Sequence, residues 1–195
     1  TKSTGADKYG EIFSHRNKVA LLMIQSEISK LPTSKEKEFL QQVLVASLSL
    51  ARIAMYGSST DILYHVVHEK AQDMNVWFLF ESRYKKFVTF QTEYKSILTD
   101  HFDKGSTYKV VNADYYEYLK NHEGLMFDAI VTDFPYTDQV PYLERNQMFR
   151  IWLNHFDDDR EHFMLTEKML ESEMVVTNAV ARKEKDLDHY YHDID

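Results

Sequence analysis

Ala129-Ile-Val-Thr-Asp133-Phe134-Pro135-Tyr136 is the stretch on which the reading of this chain turns. Phe127, Ala129, Ile130 and Val131 make a short apolar run that stops at an acid, an aromatic, a proline and a second aromatic. An apolar run closed by a turn signal predicts a buried strand over 127–133. Asp133 then stands at the carboxyl end of that strand, where open α/β sheets hold their ligands. Upstream, Tyr108 to Ala113, with Val110 and Val111 inside, predicts a second strand that ends on Asp114.

Outside these two runs the hydrophobic period is helical. Ser14 caps a helix to about Leu31, along which Val19, Leu22, Met23 and Ile28 recur near helical spacing. Pro32 ends it. Ser34 opens the next, 35–56, with Phe39, Leu40, Val43, Leu44, Leu48, Ala51 and Met55 as a wide apolar stripe before Gly57-Ser58-Ser59. Asn75 opens a helix over 75–98. Its polar side carries Arg83, Lys85, Lys86 and Lys95, which fits either nucleic-acid phosphates or an ordinary solvated face. Pro141 starts a helix over 142–153, with Leu143, Met148, Phe149 and Trp152 on its apolar side. Residues 159–171 read as helical, 173–177 as a short extended piece, and the charged tail as helical or frayed. His65 and His68 stand three apart, but no third ligand lies at metal spacing, so they read as packing or surface histidines and no metal site is expected.

The tetrapeptide suits one kind of chemistry. An exocyclic base amine is a poor nucleophile because its lone pair is delocalised into the ring. Two acceptors, one on each N–H, pull the nitrogen towards a pyramidal, reactive state. The Asp133 carboxylate supplies one and the backbone carbonyl of Phe134 the other. Pro135 fixes the turn through its locked φ. Tyr136 offers a flat face on which a flipped base can stack. The competing reading of the same four residues is an ordinary strand-to-loop turn.

At these residues the sequence resembles the amino-methyltransferases of DNA, whose signature is Asp-Pro-Pro-Tyr. Thr137-Asp-Gln-Val-Pro-Tyr142, Met148-Phe149 and Ile151-Trp152-Leu153 are similar to the continuation in one bacterial branch of adenine-specific enzymes. Tyr9-Gly-Glu-Ile-Phe13 with Arg16, and Asn75-Val-Trp77 with Phe80-Glu81 and Arg83, resemble the helical segment of that branch. Phe134 replaces the first proline of the signature, a change that a role played by a backbone carbonyl tolerates. The resemblance implies an α/β, helix-rich fold: a partial Rossmann-like methyltransferase sheet with a helical insertion. It implies a helical region over 1–103 and, over 104–195, part of the catalytic domain with the signature loop. The implied activity is methyl transfer from S-adenosylmethionine to adenine N6 in DNA. Asp133, Phe134, Pro135 and Tyr136 are the implied catalytic residues, and Asp138 and Tyr142 the substrate contacts. Asp114 is implied to touch the adenine end of S-adenosylmethionine. As a residue, Asp114 also reads as the N-cap of a helix over 115–121, and both roles can hold. The same chemistry serves RNA bases and glutamine amides, and a helix-rich binding module without catalysis is the reading from another class.

Composition narrows these options. The 195 residues contain no cysteine, which rules out a disulfide framework and a cysteine nucleophile of the cytosine-C5 kind. Methylation of an exocyclic amine needs no covalent intermediate. A formal net charge of -8 places the main DNA-gripping surface outside this chain, because neutralising phosphates takes lysine and arginine. No apolar segment is long enough for a membrane and no signal peptide opens the chain, so no membrane partner and a cytoplasmic location are expected. The 5 glycines include no G-x-G after a strand, although a cofactor site of this kind needs such a turn. The chain therefore reads as the middle of a longer enzyme. By itself it is expected to bind S-adenosylmethionine weakly or not at all, and its unpaired strand edges favour self-association.

Overall fold

The computed structural model describes residues 8–53, 73–101, 109–111, 113–133, 135, 142–156, 163–176 and 185–194. Its helices begin where the sequence supplies a short polar side chain. Ser14 Oγ accepts from the Asn17 amide at 3.1 Å and opens α1, His15–Ser29. Ser34 Oγ accepts from the Lys37 amide at 3.2 Å and opens α2, Lys35–Ala51. Asn75 Oδ1 accepts from the Phe78 amide at 3.1 Å at the head of α3, Val76–His101. Each cap takes one of the amides that a helix start leaves without a partner. Four helices follow: α4, Tyr115–Lys120, α5, Tyr142–Asn154, α6, Glu167–Ser172, and α7, Leu187–Ile194.

The chain divides into two compact units, Thr1–Phe90 with Pro135–Asp195, and Gln91–Phe134. The first holds the hydrophobic core. There α1 packs on α2, and α2 on α5. Leu21, Val43, Leu44, Leu48 and Met148 are fully buried at its centre. Phe13 and Trp152 meet edge to face, with ring centroids 5.9 Å apart and planes at 80°. This contact joins the segment before α1 to α5, the helix that follows the signature.

The buried face of α1 differs from the predicted one. Asn17, Leu21, Gln25 and Ile28 point inward, while Val19, Leu22 and Met23 are exposed. Asn17 belongs in the core because its Nδ2 donates to the carbonyl of Ala51 at 2.9 Å, pairing a group at the end of α2. Two polar residues on the inner face hid the true stripe from a hydrophobicity pattern.

The α/β expectation is corrected. Among the described residues there is no β-strand, and no Rossmann-like sheet is seen. Residues 127–133 have no regular secondary structure, nor do the described members of 108–113. Val131 is 97% exposed, Ile130 76% and Val110 85%, so these side chains form no buried strand. The physical reason is that a strand exists only when paired. The apolar pattern encodes an element that needs a neighbour, and no paired neighbour stands among the described residues. The helix predictions fared differently: 14–31, 35–56, 75–98 and 142–153 correspond to α1, α2, α3 and α5, with residues 54–56 outside the described set.

The second unit contains the last turns of α3, then α4 and the 125–133 run. Of its described side chains only Tyr118 is other than exposed. Tyr118 stacks on the His122 ring at 4.1 Å, and Lys109 Nζ lies 5.6 Å from the Tyr118 ring centroid. Gly124 has φ +95°, a backbone conformation that a side chain would strain, and it turns the chain from α4 into the 125–133 run.

Candidate functional site

Asp133 ends the 125–133 run with its side chain exposed. Two residues on, the backbone is held firmly. The carbonyl of Pro135 accepts a short hydrogen bond from the hydroxyl of Tyr190 on α7. Tyr190 is only 6% exposed, so its ring is packed while its hydroxyl finds an acceptor, as buried tyrosines require. Beyond the signature, the Leu143 amide in the first turn of α5 donates to Glu173 Oε1 at 2.9 Å. A carboxylate is well placed there, because a helix start presents unpaired amides and a partial positive charge.

Glu173 is itself tied down. Lys185 Nζ donates to the carbonyls of Glu171 and Glu173, at 2.6 Å each. Directly after Lys185, Asp186 caps α7. Its Oδ1 accepts from the His189 amide at 3.0 Å and lies 2.6 Å from His189 Nδ1. The His189 amide, and next its ring, hold the Asp186 carboxyl below its ordinary range. Glu173 and Tyr190 therefore reach Leu143 and Pro135 respectively.

The predicted site residues fare unequally. Phe134, Tyr136 and Asp138 lie outside the described residues, as do His65 and His68. Tyr142 is the first residue of α5 and is 37% exposed. Asp114 caps α4 by accepting from the Glu117 amide at 3.1 Å, so its structural reading holds. No hydrogen bond or ion pair joins Asp114 to Asp133 among the described residues.

The described residues do not fit S-adenosylmethionine as a whole. A side chain added at Gly124 would meet nothing within 4 Å, and one at Gly10 only the flexible end of Lys18. Neither glycine is part of a tight backbone cradle. Glu173, Lys185 and Tyr190 were not anticipated as residues acting on the signature. The one signal for them is the spacing of Leu187, Tyr190 and Tyr191, three and four apart in an otherwise charged tail.

Two further features belong to the first unit. Arg83 and Lys85 fall on opposite sides of α3, given 3.6 residues per turn. Lys85 also pairs with Glu81 at 2.9 Å, so the cations of this helix form no single stripe. An open apolar groove of about 590 Å³ runs past Met23, Ile28, Leu31, Leu40, Trp77 and Phe80. Among the described residues no cluster of three or more His, Cys, Asp or Glu is placed to hold a metal ion. Nor is any helix there long and apolar enough to cross a membrane.

Compared with known proteins, the chain matches no protein-family model, no curated protein and no solved structure.

Proposed function

We propose that this chain carries the amine-activating loop of an S-adenosylmethionine-dependent methyltransferase that acts on adenine N6 in DNA. The observation that carries the reading is the state of the signature. Asp133 presents an exposed carboxylate, and Pro135, two residues later, has its carbonyl held by Tyr190. Amine activation asks for an accessible acceptor and for positioned groups. S-adenosylmethionine would supply the methyl group. The chain's own part is to accept one amine N–H on Asp133 and the other on the Phe134 carbonyl. Tyr136 stacks on the base, and Asp138 and Tyr142 contact the substrate strand.

The test is methyl transfer to DNA by the full-length protein. Asp133→Ala is expected to abolish transfer with cofactor binding largely kept, because one lost acceptor leaves the amine conjugated. Tyr136→Ala weakens transfer by the loss of stacking, worth about 1–3 kcal/mol. Tyr136→Phe is milder, since the ring face remains. Near-normal turnover in Asp133→Ala would sink the assignment.

A helix-rich binding module without catalysis is the second reading. The helical architecture and the lack of a glycine cradle among the described residues favour it. The same assay separates the two, because a module transfers no methyl group even with Asp133 intact.

A further inference from the structure

The geometry points to Tyr190 and Glu173 as positioning residues that brace Pro135, within the signature, and Leu143, in the first turn of the helix that follows it. Their assignment to catalysis rests on the methyltransferase reading; their bracing role does not.

Pro135 has a restricted backbone. Its ring fixes φ near -65°. The remaining torsion, ψ, decides where the Pro135 carbonyl points, and that carbonyl is the one Tyr190 holds. Ring and hydrogen bond together leave Pro135 no free backbone torsion. Under the proposed function, the carbonyl assigned to activate the amine belongs to the residue just before Pro135. At the other end, Glu173 pairs the Leu143 amide and so fixes the entry into α5.

The two contacts belong to one assembly. Leu143 is bonded to Glu173, and Glu173 to Lys185. Lys185 adjoins the Asp186 cap of α7, and α7 carries Tyr190, which returns to Pro135. All of these residues lie in the first unit. A tyrosine 6% exposed in a charged tail is well explained by such a task, because burying it without an acceptor would be costly.

The chain has 3 prolines, at 32, 135 and 141, so a sample labelled with carbonyl-¹³C proline gives a small set of signals. In Tyr190→Phe, which keeps the ring and removes the hydroxyl, the Pro135 signal is expected to move upfield while that of Pro32 stays. Glu173→Ala should speed exchange of the Leu143 amide about tenfold, the factor for a lost hydrogen bond to a charged acceptor. Glu173→Gln, which keeps an acceptor oxygen, should restore most of the protection. Circular dichroism on each variant should show the helices retained.

In the full-length protein, Tyr190→Phe should lower kcat about tenfold to a hundredfold with KM for DNA unchanged, as misplacement of a reacting group does. An unmoved Pro135 carbonyl, or unchanged Leu143 exchange in Glu173→Ala, overturns the brace. A moved carbonyl with kcat within about twofold of wild type overturns the catalytic positioning, even if Asp133→Ala is inactive. Undiminished transfer in Asp133→Ala marks instead a failure of the amine-activation reading, and the carbonyl and amide readouts still decide the brace.

Discussion

The contact between Phe13 and Trp152 ties the segment before α1 to the helix that follows the signature, and a double-mutant cycle measures it. The rings lie 5.9 Å apart at 80°, with Phe13 4% and Trp152 7% exposed. Truncating either to alanine would cost about 3–5 kcal/mol, a large share of a domain stability of about 5–15 kcal/mol. Leucine is therefore the better replacement, because it keeps most of the apolar burial and removes the aromatic pairing. An edge-to-face pair contributes about 0.5–1.5 kcal/mol beyond its buried area. The double variant should be less destabilised than the sum of the single variants by that amount. With a urea slope of about 2 kcal/mol per molar, its midpoint should lie about 0.3–0.7 M above the additive value. Far-UV circular dichroism is the appropriate signal, since Trp152 is one of only 2 tryptophans. Additivity to within about 0.3 kcal/mol would refute the direct contact, because independent sites add to that precision.

Two further predictions concern the C-terminal segment and the cofactor. The His189 amide, and then its ring, lower the pKa of Asp186 from its ordinary 3.8. A folded pKa below the unfolded one gives stability that is present above the unfolded value and lost as pH falls through the folded value. In an acid titration followed by the ring signals of Tyr190, α7 should therefore stay docked through pH 3.8 and loosen below it. Asp186→Asn should remove that acid step, and a step unchanged in the variant would show that another group governs it. Isothermal titration of the 195-residue chain with S-adenosylmethionine should give weak binding or none, because neither described glycine forms a cradle. Tight, stoichiometric binding would show the pocket to be complete here.

The helical half of the structure was legible because capping side chains and the 3.6-residue period agree. Ser14, Ser34, Asn75 and Asp114 were read as N-caps from sequence and act as caps. The sheet was misread for a specific reason. Phe127 to Val131 carries the composition of a buried strand, but pairing is a property of two segments, and this run has no partner among the described residues. The inner face of α1 was missed because Asn17 and Gln25 occupy core positions and exposed Val19 and Met23 mimic a stripe. At the site, Asp133 and Asp114 drew notice through residue type and place. Tyr190 and Glu173 did not, because a hydrogen bond across 55 residues leaves no local pattern.

The central claim is that the signature activates the N6 amine of adenine in DNA. The most direct measurement is nucleoside mass spectrometry of DNA incubated with the full-length protein and methyl-labelled S-adenosylmethionine, comparing wild type with Asp133→Ala. The account predicts labelled N6-methyladenine with the wild type and none with the variant. Label on RNA bases or on glutamine instead, or equal N6-methyladenine from both proteins, would contradict it.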